Sequence, residues 1–264
     1  MRLVHPFPSL IVVAVTVAFA FVAEPSPDPG VVATLGAGML CYQFSIGITN
    51  DIYDTLDDAK AKQWKAMARG LISRRAAVLL AVGLAALGMV LTAGLPFGSW
   101  LIGIAGLACG LAYDVHLKRT TWSWLPFAIA FPLIPIWVFT ALDEWDGLLW
   151  WVLPLGPLLG LALHLANQAP DVPKEAHIRG MAHRLGSERA ANLALGLLGL
   201  VGIVATLVLL AGEAPSQALV VGATVSLSGV LAKRAVRTFG PDGLFGLLAS
   251  STAIIAVAFV SATG

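Results

Sequence analysis

Residues 50–58 read NDIYDTLDD and residues 167–175 read NQAPDVPKE, and each stretch follows a long apolar run. Both stretches place an asparagine and two acids at intervals of four residues, in the pattern N-x3-D-x3-[D/E]. Side chains four residues apart lie on the same face of an α-helix. The pattern therefore predicts two ridges of oxygen atoms, formed by Asn50, Asp54 and Asp58 and by Asn167, Asp171 and Glu175.

Pro170 and Pro173 lie inside the second ridge. Proline lacks the amide proton of a regular helix and clashes with the preceding turn. We therefore expect the second ridge to lie on a bent or unwound stretch. An alternative explanation of the first stretch alone is a solvated helix end, with Asn50 and Asp51 as N-cap residues.

Acids clustered beside a lipid bilayer need a positive partner. Like charges at helical spacing repel one another, and more strongly where the dielectric constant is low. Carboxylate and amide oxygens suit a hard cation, which favours Mg²⁺ over Zn²⁺. Mg²⁺ typically joins one or two carboxylates to substrate phosphates, so two facing ridges would present two or three Mg²⁺ ions to a diphosphate. The acids concerned are Asp51, Asp54, Asp58, Asp171 and Glu175.

A third polar stretch, residues 113–119, reads YDVHLKR. A Lys-Arg pair at a membrane surface commonly serves as a topology anchor. The functional interpretation is that Lys118 and Arg119 reach the diphosphate and stabilise it as a leaving group. Asp114 is expected to neutralise this pair.

The composition places all three stretches in an integral membrane protein. Of 264 residues, 58% are hydrophobic and 12% are charged, whereas soluble domains carry about a quarter charged residues. Cys41 and Cys109 lack CxxC spacing and indicate neither a disulfide framework nor a metal knot. The length leaves no room for a separate soluble domain, so residues 1–264 are predicted to form one transmembrane domain.

Hydropathy predicts an all-α fold with about nine transmembrane helices. Their expected ranges are 7–23, 31–49, 76–94, 97–113, 124–142, 148–166, 190–211, 215–232 and 243–262. All 16 Lys and Arg residues fall at the N-terminus or in alternate connections, and the other connections hold only acids. The positive-inside rule then predicts a multi-pass protein of the cell membrane with a cytoplasmic N-terminus and an outside C-terminus.

These stretches resemble the UbiA superfamily of intramembrane prenyltransferases. The family's first motif, NDxxDxxxD, is matched at every fixed position by residues 50–58. Its second motif, DxxxD with an asparagine often four residues earlier, is matched by residues 167–175 with glutamate in the last place. Residues 113–119 are similar to the family's Y-x(3–5)-K-R stretch after the fourth helix. A departure is His5-Pro6, which stands where the family usually has Arg-Pro or Lys-Pro.

The resemblance implies a helical bundle around a central cavity, capped by the cytoplasmic loops. It implies Mg²⁺-dependent transfer of an isoprenyl group from an isoprenyl diphosphate to a small acceptor inside the membrane. The implied metal ligands are Asp54, Asp58, Asp171 and Glu175. The implied catalytic residues are Asp54, Asp58, Asp171 and Lys118, and the implied substrate contacts are Asn50, Asp51, Tyr113, Asn167 and Arg119.

The acceptor stays open at this point. An aromatic acceptor resembling a quinone precursor is expected from its frequency in the family, and a non-aromatic one such as a glycerophosphate ether lipid precursor is the alternative. A cation transporter with an acidic metal site is the alternative from another class, although its acids would be expected deeper in the bilayer. The DG-x2-AR signature of CDP-alcohol transferases is broken after Asp242-Gly243. No nucleic-acid partner is expected.

Overall fold

The computed structural model describes residues 6–61, 65–145, 147–173, 179–240 and 243–262, and every regular element within these ranges is helical. Two 3-10 turns, Leu117–Arg119 and Gly147–Trp151, precede the fifth and sixth α-helices. The α-helices are α1 (Pro6–Ala23), α2 (Pro29–Ala61), α3 (Arg74–Thr92), α4 (Phe97–Val115), α5 (Leu125–Leu142), α6 (Val152–Gln168), α7 (Met181–Leu185), α8 (Ser187–Ala211), α9 (Pro215–Phe239) and α10 (Gly243–Val260). The predicted all-α class is confirmed.

Most of these helices have the length and hydropathy of membrane spans. Within the described ranges, α2 to α6 and α8 to α10 supply eight such candidates, and α1 adds a shorter apolar stretch at Pro8–Ala23. Large apolar side chains such as Val90 (72% exposed) and Leu219 (73% exposed) point outward, where lipid would cover them. The protein is therefore a multi-pass membrane protein, with about the number of helices that hydropathy predicted.

The main departures from the predicted boundaries lie at the ends of the helices. The helix α2 extends beyond the predicted span limit at residue 49 and continues to Ala61, so it carries the whole first acidic stretch, as the helical spacing of that stretch suggests. The helix α9 likewise extends beyond the span limit at residue 232, runs to Phe239 and stops before Gly240 (φ 74°). Hydropathy detects where an apolar run ends, whereas a helix continues as long as its backbone hydrogen bonds are made.

The second acidic stretch behaves differently. The helix α6 ends at Gln168, so Asn167 lies in its last turn and Asp171 lies in the turn that follows. The expected unwinding of the second ridge is observed as far as it is described, since residues 169–173 form turns and not helix. The five-residue helix α7 was not predicted, because a segment this short shows no hydrophobic period.

The helices pack in an order that brings the beginning and the end of the chain together. The helices pack one against the next in the order α1, α2, α4, α5, α6, α8, α9 and α10, and α3 packs against α2. The helix α10 also contacts both α1 and α6. Glycine permits the closest approaches between helices. A Cβ atom on Gly160 of α6 would overlap the Phe127 carbonyl of α5, and one on Gly110 of α4 would overlap the Ile46 side chain of α2.

We expect Gly160→Ala to lower the midpoint of thermal unfolding in detergent, because its methyl group meets backbone that cannot turn aside. Overpacking of this kind costs about 1–3 kcal/mol. Gly106→Ala in α4 is the matched control, since a Cβ atom there meets no atom within 4 Å. An equal or greater loss of stability in the control would contradict the close packing of α5 and α6.

Candidate active site

The first acidic stretch and the end of α4 meet through one asparagine. Asn50 Nδ2 donates hydrogen bonds to Asp54 Oδ2, one helical turn further along α2, and to Asp114 Oδ1 in the last turn of α4, each at 3.0 Å. Asp114 is 2% exposed. Its Oδ2 atom is buried and has no hydrogen-bond partner among the residues that the structure describes. Two carboxylates therefore lie side by side at one end of the bundle.

The turn after α4 brings two cations to the same place. Lys118 Nζ forms an ion pair of 2.5 Å with Asp54 Oδ2, and Lys118 is itself buried. Arg119 Nη2 donates to the Tyr53 carbonyl at 2.9 Å and lies 3.6 Å from Asp54 Oδ1. The 3-10 turn allows both side chains to fold back onto α2. The sequence analysis expected Asp114 to neutralise this pair, whereas the carboxylate that both cations reach is Asp54, and Asp114 accepts a hydrogen bond from Asn50 instead.

Asp51 lies in a separate ion pair. Its Oδ1 atom is 2.7 Å from Lys65 Nζ, and both side chains are almost completely buried. Successive helical residues are rotated by about 100°, so Asp51 points away from Asn50. The apolar residues packed nearby include Ile48, Ile52 and Met67. The substrate contact expected of Asp51 stays a prediction, and the structure gives this residue a charge partner of its own.

The end of α6 contacts α4 and the following turn. Gln168 Nε2 donates to Tyr113 Oη at 2.9 Å, and His164, one turn earlier on α6, lies 3.1 Å through its Nε2 atom from Ser123 Oγ. The rings of Tyr113, Phe127 and His164 also pack against one another. Their centroids are 5.0 Å apart for Tyr113 and Phe127, 5.9 Å for Tyr113 and His164, and 5.1 Å for Phe127 and His164.

The second acidic stretch is placed only in part. Asn167 and Asp171 are both half-buried, and the Asp171 amide donates to the Gln168 carbonyl at 3.0 Å. Glu175 and the side chain of Asp58 lie outside the described residues. Within the described part of the chain, no three His, Cys, Asp or Glu side chains are grouped as metal ligands. The ligand set predicted from the two stretches therefore stays a prediction.

Taken together, four contacts form a closed ring that we call the polar circuit. It joins α2 to α4, α4 to α6, α6 to the turn after α4, and that turn back to α2. The contacts are Asn50–Asp114, Tyr113–Gln168, His164–Ser123 and Lys118–Asp54. The polar circuit sets the relative positions of the three predicted polar stretches.

The sequence analysis missed several members of this arrangement. It gave Asp114 a role in charge balance only, and it gave none to Ser123, Gln168 or Lys65. The partners of Asp114, Gln168 and Ser123 lie 64, 55 and 41 residues away along the chain, so no local spacing connects them. The sequence contains only a weak sign of this arrangement: His164 and Gln168 are polar residues four apart at the end of an apolar run.

Comparisons with known proteins agree with this architecture. The sequence profile of the UbiA prenyltransferase family matches residues 11–261. No sequence among the curated proteins matches the chain. The structure is similar to that of a UbiA homologue from Archaeoglobus fulgidus bound to GPP and Mg²⁺, with a TM-score of 0.76 and 16% identity over 97% of this chain and 96% of that one.

Two further solved structures share the fold. The apo UbiA homologue from Aeropyrum pernix K1 has a TM-score of 0.73 and 16% identity, over 98% of both chains. A structure of digeranylgeranylglyceryl phosphate synthase has a TM-score of 0.68 and 14% identity, again over 98% of both chains. These likenesses show the fold, and they extend over nearly the full length of each protein.

We expect Lys65→Met to destabilise the protein strongly, because it leaves the Asp51 carboxylate buried without its lysine. Removing one partner of a buried ion pair costs about 3–5 kcal/mol. The measurement is thermal unfolding in detergent, with Arg69→Met as a control at an exposed position of the same connection. The double variant Asp51→Asn/Lys65→Met should recover part of the loss, and equal midpoints for the single variant and the control would refute this interpretation.

Proposed function

Because the chain belongs to the UbiA prenyltransferase family, we propose that it transfers an isoprenyl group from an isoprenyl diphosphate to an aromatic acceptor inside the membrane. The proposal rests on one observation: acidic and cationic side chains lie in contact at one end of an apolar bundle. Asp54 lies within 4 Å of both Lys118 and Arg119, and Asn50 joins Asp54 to Asp114. A diphosphate bound through a metal needs both kinds of group.

The donor set at this site fits Mg²⁺. Asp54, Asp114 and the amide oxygen of Asn50 are all hard oxygen donors, the type that Mg²⁺ prefers. The buried Oδ2 atom of Asp114, which has no partner among the described residues, is a vacant acceptor that a cation would satisfy. Asp54 would hold the metal, together with Asp58, Asp171 and Glu175 if these reach the same site. The homologue bound to GPP and Mg²⁺ supports a Mg²⁺ site in a protein of this fold.

When bound, Mg²⁺ would withdraw charge from the diphosphate and so assist cleavage of the allylic C–O bond. The chain's own cations act in the same direction. Lys118 is buried, and a charge-assisted hydrogen bond from it to phosphate is strengthened by the low local dielectric constant. Lys118 is paired with Asp54 in this structure, so we propose that it transfers its hydrogen bond from Asp54 to the diphosphate on binding. Arg119 is 35% exposed at its side chain and would contact the outer phosphate.

The bundle also provides the surroundings that the reaction requires. Cleavage sends the C–O bonding pair to the diphosphate and leaves an allylic carbocation, which water would quench. Asn50, in its hydrogen bonds to both acids, holds the two carboxylates in place while the charge develops. The apolar helices exclude water and offer an isoprenyl chain a hydrophobic environment. The acceptor carbon then supplies the electron pair of the new bond, and its ring proton leaves to the released diphosphate, which restores the aromatic ring.

The packed rings of Tyr113, Phe127 and His164 support an aromatic acceptor. Tyr113 belongs both to this group of rings and to the polar circuit. Tyr113 and His164 are buried, so the half-buried Phe127 is the ring of the three that would stack on a planar acceptor. Transfer to a glycerophosphate ether lipid precursor, the kind of acceptor used by enzymes that make ether lipids, is an outcome that the test below would detect.

We expect the detergent-purified protein to release diphosphate from geranyl or geranylgeranyl diphosphate in the presence of Mg²⁺ and one acceptor of a panel. The chelator EDTA should abolish turnover. Asp54→Asn and Lys118→Met should each lower kcat by about 100-fold, because each removes a group that stabilises the leaving diphosphate. Measurement by radiolabelled product separates aromatic acceptors from glycerophosphate acceptors.

Glu144→Gln is the control for these variants, because Glu144 is exposed and belongs to one of the acid-only connections. It should keep full activity. Absence of isoprenyl diphosphate binding in every condition would refute the proposed function, and metal-dependent cation flux in liposomes would then favour the transporter alternative.

We also propose that the end of the bundle bearing the polar circuit faces the cytoplasm. The positively charged residues lie in the connections at this end, as the positive-inside rule requires of cytoplasmic loops. Green fluorescent protein folds in the cytoplasm but not after export through the general secretion pathway. A fusion placed after Gly264 should therefore stay dark, whereas a fusion placed before Met1 should fluoresce, and the reverse pattern would invert the proposed orientation.

A further inference from the structure

Ser123 connects three segments that are distant along the chain. It lies between the 3-10 turn that carries Lys118 and the helix α5, and it is 1% exposed. Its Oγ atom accepts a hydrogen bond of 3.0 Å from the amide of Met181, the first residue of α7. The same Oγ atom lies 3.1 Å from His164 Nε2 on α6.

The second hydrogen bond can run in either direction. The Ser123 hydroxyl oxygen accepts from the Met181 amide, and it can either donate its one proton to His164 Nε2 or accept a proton from it, according to the tautomer of the ring. His164 is completely buried, so Ser123 and not bulk water is the partner of this nitrogen. In both tautomers His164 Nε2 holds the Ser123 hydroxyl in place.

Close packing reinforces this junction. Gly180 precedes α7, and a Cβ atom there would lie 3.1 Å from the Lys118 carbonyl oxygen and 3.3 Å from Ser123 Oγ. Gly180 is therefore packed directly against the turn that carries Lys118. Ser187 Oγ adds a hydrogen bond of 2.7 Å to the Ala169 carbonyl, which ties the start of α8 to the end of α6.

We propose that Ser123 and His164 are positioning residues, which hold the Lys118 turn at a fixed place relative to the second acidic stretch. This inference rests on the proposed function, since it concerns how the two halves of that site meet one diphosphate. Neither residue contacts Asp54 or Asp114 in the contacts described above, so they act through Lys118 on one side and through α6 on the other. Without the junction, Lys118 and Asp171 would each keep their local structure but lose their relative position.

The expected decrease in kcat follows from the sensitivity of catalysis to the positions of the reacting groups. A displacement of about 1 Å in a reacting or charge-stabilising group can cost up to 100-fold in rate. Loss of one buried hydrogen bond should displace the Lys118 turn by less than loss of the whole junction would. We therefore expect a decrease in kcat of about tenfold. Binding of the diphosphate should change by less than about twofold, because the cations and acids themselves are retained.

Two histidine substitutions separate the two ring nitrogens. His164→Gln places a carboxamide where Nε2 stands and can still bond to the Ser123 hydroxyl in either direction. His164→Asn places its amide nearer the Nδ1 position and loses that hydrogen bond. Ser123→Ala removes the hydroxyl itself. The double variant Ser123→Ala/His164→Asn should resemble each single variant, because both changes remove the same hydrogen bond.

The experiment measures kcat, KM and diphosphate affinity of the full-length protein, with hydrogen exchange of the Met181 amide as a readout that does not depend on activity. Ser123→Ala should raise the Met181 exchange rate by about tenfold through loss of its acceptor. We expect Ser123→Ala and His164→Asn to lower kcat about tenfold at similar diphosphate affinity, and His164→Gln to stay within about threefold of the wild type.

Unchanged kcat in Ser123→Ala and His164→Asn, despite faster exchange at Met181, would overturn the positioning role and leave the proposed function intact. Equal loss in His164→Gln and His164→Asn would also overturn it, because Nε2 would then not be the group that matters. Loss of diphosphate binding together with kcat would show that the substitutions unfold the site and would count against a positioning role. An inactive wild type across all acceptors would instead refute the proposed function.

Discussion

The arrangement at the end of the bundle that bears the polar circuit depends on the charge of Asp54. This carboxylate is buried at the end of a membrane-spanning helix, where an unpaired charge would cost several kcal/mol. Lys118 supplies the opposite charge from a different helix connection, and Asn50 shares its amide between Asp54 and Asp114. The need to neutralise one acid thus determines where α4 ends and how the following turn folds.

The polar circuit and the apolar bundle contribute differently. Close contacts through glycine and hydrogen bonds such as Ser45 to the Ala81 carbonyl hold the helices together within the membrane. The circuit adds little apolar area, and its contribution is to set the relative positions of groups that must act together. A buried ion pair contributes more to a unique geometry than to net stability in some proteins, and that is the role we assign to Lys118 and Asp54.

Sequence analysis reached the fold class, the number of spans to within one and the helical spacing of the first acidic stretch, because these depend on local hydropathy and period. It expected an unwound stretch at Pro170 and Pro173, and α6 does end at Gln168. It placed the limit of the second span at residue 49, short of the end of α2 at Ala61, because hydropathy falls where the polar residues begin. It assigned Asp114 to neutralise Lys118, whereas Lys118 is paired with Asp54. It missed the junction at Ser123 because packing of distant segments, and not any spacing, creates it.

The order in which the chain is synthesised has a consequence for this acid. Asp54 and the lysine that pairs with it are 64 residues apart, so α2 is made well before its counter-charge exists. At about 5–20 residues per second, the interval lasts roughly 3 to 13 s. During that time α2 bears a carboxylate without its counter-charge, and water accommodates such a charge better than the hydrocarbon region does. The polar last turns of α2, which run on to Ala61, favour water around this end of the helix until Lys118 has been made.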